Sequence, residues 1–213
     1  MAFIVFLTCL SIYFILFFNS LTTKRPSQRA VLNEIYRNWV SNQLNNQDTI
    51  VTVQAIRNFI MANSTFISAL FILLSMLIGI YDVFFVNSAP FWGNEHLTLG
   101  LVKITLNIFI IVFALYNFII SIRMLSRLTI LITGNPQDYS MGDGKFKGKD
   151  ITKKTFVLAQ NHWMFGIRSL FYLAATLVWY LDAILFIIIS ILVTIYLIVF
   201  QDTWLFSRQK AQS

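Results

Sequence analysis

Arg57, Asn58, Arg123, Arg127 and Arg168 are the side chains whose type and placement could bind an anion. They belong to three long apolar stretches, "VQAIRNFIMANS", "SIRMLSRLTILI" and "FGIRSLFYLAATLVW", and stand where each stretch meets polar sequence. A guanidinium presents a planar fork of donors that takes a carboxylate or phosphate with two hydrogen bonds. If antiparallel helices bring these arginines to one height, they form a polar cap for an anion, a lipid headgroup or a partner's carboxylate, with Gln54, Ser121, Gln160 and Asn161 at the same level. The plainer reading is snorkelling, in which each long side chain reaches anionic headgroups separately.

Lys103 and Asp182 form a second candidate pair. Asp182 lies inside the longest apolar run, "FYLAATLVWYLDAILFIIISILVTIYLIVF". Its distance from Arg168 along a helix is about 21 Å, which puts it in the outer half of a hydrocarbon core about 30 Å thick. A lone carboxylate there costs about 2.5–3.5 kcal/mol on insertion scales, so it calls for a partner, a proton or a turn. Lys103 lies near the same height on the preceding run and can supply the partner. The pairing goes with one continuous last helix over 165–200, because "WYLDAILF" has neither Gly nor Pro to turn on. The rival is a hairpin at Asp182, which returns Arg208 and Lys210 of "SRQK" to the basic side. Asn63 and Asn117 form a third set, amides that can hydrogen-bond across helices for under ~2 kcal/mol.

Other chemistries find little support. Cys9 is the only cysteine, so no intramolecular disulfide or thiolate cluster can form. The two histidines, His96 and His162, fall on opposite sides of the membrane in the topology below, so one protomer cannot join them on a metal. Hydrolysis needs a nucleophile, a base and an orienting group together, and neither G-x-S-x-G nor H-E-x-x-H occurs. Glycines 142, 144 and 148 resemble a phosphate loop, but no GKS or GKT follows. No catalytic residue, cofactor or metal is therefore expected.

The elements that carry these residues follow from composition. Of 213 residues 57% are hydrophobic and only 12% charged, whereas soluble domains carry about 25% charged residues. The net charge of +7 would suit a phosphate backbone, but the basic residues cluster beside apolar runs, which argues for a membrane surface and against nucleic acid. Four runs are long enough to span, at about 2–18, 59–85, 99–122 and 165–200. The first lacks basic residues ahead of it and a small-residue cleavage pattern after it, as a retained helix does. Thirteen of the sixteen Lys and Arg lie in the segments after the first and third runs, while "VNSAPFWGNEHLTLG" has none. The positive-inside rule then places the N-terminus outside, both basic segments in the cytoplasm and the Pro90 to Gly93 turn outside.

The first basic segment, "QRAVLNEIYRNWVSNQ", sets Val31, Leu32, Ile35, Tyr36, Trp39 and Val40 on one helical face. This predicts an amphipathic inner helix over 28–41, lying on headgroups or against the bundle. Asp48 or Thr49 can cap the helix that follows. Gly134 can end the third span in the left-handed conformation, with Pro136 preventing resumption and a solvated inner loop over 134–152.

The three arginine-bearing segments, with "YRNWV" at 36–40, resemble domain-of-unknown-function family 599, hydrophobic proteins of about this size. The matching stretches and their apolar surroundings cover most of the chain. The resemblance implies fold and location and supplies no reaction, substrate or cofactor. Members often carry Gly-Pro just after the tryptophan of the last apolar segment; "WYLDA" stands here instead, which argues against a sharp break.

The expected fold is an all-α polytopic transmembrane bundle, one domain over 1–213, with four principal spans, or five if the last run is a hairpin, and cytoplasmic helical extensions. The expected role is a structural or accessory subunit or a homo-oligomer in the cytoplasmic membrane, its partners being membrane lipids with anionic headgroups and other membrane subunits. A small transporter or channel is the alternative, and a lipid-active enzyme the next.

Overall fold

The computed structural model describes residues 2–22, 28–46, 49–84, 90–91, 94–134, 140–141 and 146–199. Expectations resting on Asp48, Gly93, Pro136, Gly142, Gly144, Arg208 and Lys210 lie outside the described residues. Six helices dominate: α1 (Ala2–Thr22), α2 (Gln28–Asn46), α3 (Thr49–Phe84), α4 (Leu99–Thr133), α5 (Gly148–Val178) and α6 (Ala183–Tyr196). Two short antiparallel ladders interrupt them, β1 (Pro90–Phe91) with β2 (Asn94–Thr98) before α4 and β3 (Ser140–Met141) with β4 (Phe146–Lys147) before α5.

The spans expected at 59–85 and 99–122 are helical in α3, as far as Phe84, and in α4, two helices long and apolar enough to cross a membrane. At 36 residues α3 rises about 54 Å, well beyond a hydrocarbon core. Gly134 does end α4, but not in the left-handed conformation. Its N–H instead bonds Ile130 O at 3.0 Å, which closes the last turn in the ordinary helical way. Helix α5 begins at Gly148, so the last residues of the loop expected over 134–152 are helical.

The chain gathers into two compact units, one of residues 1–31, 73–112 and 168–213, the other of 32–72 and 113–167. The second has a core of Val40 and Leu44 from α2, Ile56 from α3, Leu125, Leu128 and Ile132 from α4, and Phe156 and Ala159 from α5. Early residues of α3 and α5 meet late residues of α4, so α4 runs antiparallel to both. Helix α2 docks on this bundle, with the rings of Trp39 and Tyr36 at 5.0 and 5.6 Å from that of Phe156.

In the first unit α1, α5 and α6 meet through aromatic rings. Phe6 lies 6.0 Å from Tyr172 and 5.5 Å from Phe186, and Trp179 stacks on Phe186 at 4.8 Å. Contacts between Phe171 and Tyr196 and between Tyr172 and Thr194 bring α6 back along α5.

The continuous helix expected over 165–200 is therefore corrected to a helical hairpin that breaks at 179–182. The turn needs no Gly or Pro. The N–H groups of Trp179, Tyr180 and Leu181 bond carbonyls three residues back, at 3.0–3.2 Å, tightening the end of α5. Asp182 is then extended (φ −152°, ψ 140°) and its carboxylate accepts from Ile184 N and Leu185 N at 2.6 and 2.9 Å. That is an N-cap, which satisfies orphan amides at the start of α6.

Candidate functional site

The hairpin turn holds both members of the expected ion pair, in other roles. Lys103, in the first turns of α4, donates from Nζ to Trp179 O at 2.8 Å. Its ammonium lies 5.4 Å from the Trp179 ring centroid and 5.9 Å from that of Tyr180. A cation there meets an orphan carbonyl, the negative end of the α5 dipole and two ring faces together. Asp182 is occupied at the opposite pole, the positive start of α6. Among the described residues no ion pair joins Lys103 to Asp182, because each charge has a helix end closer to hand.

Beneath the turn, Asn107 and Thr176 continue the link between α4 and α5. Thr176 Oγ1 donates to Asn107 Oδ1 at 2.9 Å, and Asn107 Nδ2 donates to Lys103 O at 2.8 Å and reaches Tyr180 Oη at 3.3 Å. Lys103 with Asn107, and Thr176 with Tyr180, are each four residues apart and so share a helix face.

The arginines divide by environment. Arg57, Asn58, Arg123 and Arg127 are exposed in the second unit, with Arg123 and Arg127 one turn apart on α4. Arg168 belongs to the first unit and is buried, 4% exposed, its guanidinium carbon 5.9 Å from the Tyr13 ring centroid. Solvated charges and a guanidinium covered by an aromatic face are different chemistry.

In the second unit, Asn63 and Asn117 do not bond each other. Each donates from Nδ2 to the carbonyl one turn back on its own helix, Phe59 O and Phe113 O, both at 2.9 Å. The amide of Asn117 is thereby oriented, and its Oδ1 faces His162 Nδ1 on α5 at 3.0 Å. That geometry selects the tautomer in which Nδ1–H donates and Nε2 carries the lone pair. His162 precedes the apolar run beginning at Phe165, and burial pushes its pKa down. The ring of Tyr116 meets it edge-on at 6.5 Å.

A family model described as "Protein of unknown function, DUF599" matches residues 1–203. The chain belongs to this family. No curated protein and no solved structure matches it. In this DUF599 chain the break after Trp179 is made without Gly or Pro, by a capping carboxylate and a lysine on a neighbouring helix. Trp179 O and Tyr180 went unnoticed in the sequence: a carbonyl leaves no signature, and Tyr180 reads as one more apolar residue. Nothing in the sequence pairs His162 with Asn117, which comes from 45 residues away.

Proposed function

We propose that the protein is an integral membrane protein of the cytoplasmic membrane that acts without catalysis, as a structural or accessory subunit or a homo-oligomer. Its exposed arginines at the cytoplasmic ends of α3 and α4 engage anionic headgroups. The supporting observation is an inverted distribution of polarity: Phe109 is 68% and Ile72 63% exposed, while Asn107 and Asn63 on the same helices are 0% exposed. In water so large an apolar surface seeks cover. In lipid it needs none, and amides are the groups that must be enclosed.

Several polar side chains on α4 hold helices and turns, as in Thr176 to Asn107, Lys103 to Trp179 O, and Asn117 with His162. That use favours scaffold over reaction centre. The headgroup site reduces to Arg57, Asn58, Arg123 and Arg127, because Arg168 is engaged inside the protein.

Two measurements test this reading. Membranes from expressing cells, washed in alkaline carbonate, should retain the full chain; its release sinks the membrane assignment. In nanodiscs of phosphatidylcholine mixed with phosphatidylglycerol, the parent should enrich the anionic lipid, and the Arg57→Gln, Arg123→Gln, Arg127→Gln variant should lose that enrichment. Unchanged selectivity removes the arginine role alone.

A further inference from the structure

Three side-chain atoms buried among α3, α4 and α5 make no hydrogen bond within the protein: Asn63 Oδ1, Ser121 Oγ and Trp163 Nε1. Asn63 and Ser121 are 0% exposed, and an orphaned buried polar group costs about 1–3 kcal/mol. Orphans of this kind in a packed core call for a partner.

Register brings the three together. Phe66 of α3 stacks on Phe118 of α4, with centroids 5.3 Å apart and planes 11° from parallel. Gly166 of α5 rests on the same ring, so close that a Cβ there would lie 2.7 Å from Phe118 Cε1. Asn63 is three residues from Phe66, Ser121 three from Phe118 and Trp163 three from Gly166. Because α4 runs opposite to α3 and α5, all three steps lead the same way along the helices, by about 4.5 Å. Positions three apart share a helix face, so each orphan stands at one level beside the triple contact.

Independent contacts give the same placement. Phe59, whose carbonyl holds the Asn63 amide, has its ring 5.0 Å from that of Trp163. Asn117, one turn from Ser121, holds His162, the neighbour of Trp163.

The donor set defines the guest. Asn63 Oδ1 only accepts, the indole N–H only donates, and the hydroxyl does either. An anion would face the lone pairs of Asn63, and a metal cation would face the indole proton. Water offers two donors and two acceptors, and buried waters make about three hydrogen bonds. We propose that one long-lived water molecule bridges these three groups, donating to Asn63 Oδ1, accepting from Trp163 Nε1 and exchanging a bond with Ser121 Oγ. The water ties three helices at one point of the core.

The test is NMR of the full chain in detergent micelles with nitrogen-15 tryptophan. Trp163→Phe assigns the indole signal, or, if that variant does not fold, Trp→Phe at 39, 92, 179 and 204 assigns it by elimination. The expected result is a cross-relaxation peak between the Trp163 indole proton and water, with the sign of a long-lived contact. It should be lost in Ser121→Ala and kept in Ser126→Ala, whose hydroxyl is exposed and bonded to Ile122 O. A peak only to acyl-chain or headgroup protons, no water peak, or equal effects of the two serine variants overturns the proposal.

Discussion

At Asp182 the carboxylate works through geometry and not through its charge. Asn caps a helix about as well as Asp, whereas Ala at such a position costs about 0.5–2 kcal/mol. Asp182→Asn should therefore unfold in detergent close to the parent temperature, and Asp182→Ala should unfold clearly below it. A partner for Lys103 would behave otherwise, since Asn cannot form an ion pair; equal losses in the two variants would restore the pairing. His162 gives a second residue-scale expectation. Burial lowers its pKa from the usual 6.5, so the folded protein disfavours the imidazolium. The sign follows: the stability is fully present above about pH 6.5 and is lost as pH falls through the lowered folded value. The thermal midpoint of the parent should drop between pH 7.5 and 5.5 more than that of His162→Gln. A parallel pH response in both would show that other groups carry the dependence.

Between helices, Gly166 decides how closely α5 approaches α4. A methyl there would press on Phe118, which is 0% exposed and already stacked on Phe66, so the ring has nowhere to swing. Overpacking of this kind costs about 1–3 kcal/mol. Gly166→Ala should lower the unfolding midpoint, and adding Phe118→Leu should recover part of the loss; no loss in the single variant would mean that the helices part easily. Such close approach was not legible in the sequence, because "MFGIRS" gives no hint of which ring will face the glycine. The helices themselves were legible, since unbroken apolar runs over 59–85 and 99–122 leave few alternatives to α3 and α4. On the face of α2 that the spacing groups together, Val40 is buried and Ile35 is 52% exposed. The break at 179–182 was not legible. Without Gly or Pro the run reads as continuous, with a hairpin at Asp182 only as its rival, and an aspartate ahead of "AILF" that calls for a partner, a proton or a turn is equally an N-cap signature. Of the candidate site, residue types were readable but groupings were not, because Lys103 to Trp179 O and Asn117 to His162 span 76 and 45 positions.

For the whole molecule, the hairpin changes the parity of membrane crossings. Helix α6 returns along α5, as Tyr172 with Thr194 and Phe171 with Tyr196 require, so α1, α3, α4, α5 and α6 make five crossings in the proposed reading. An odd number puts the two ends of the chain on opposite sides. If the N-terminus lies outside, as we propose, five crossings assign the C-terminus to the cytoplasm, the side to which the positive-inside rule also assigns the Arg208 and Lys210 of the sequence. The 14 residues of α6 rise about 21 Å, short of a core about 30 Å thick. The helical backbone continues to Val199, which brings the apolar helix to 17 residues and about 26 Å. In a Cys9→Ser background, a thiol at Lys147→Cys and a reporter fused after the C-terminus should be reached from the cytoplasm, and a thiol at Asn94→Cys only from outside. A C-terminal reporter on the side of residue 94 would mean that α6 does not cross back, and the hairpin would then have to lie within one leaflet.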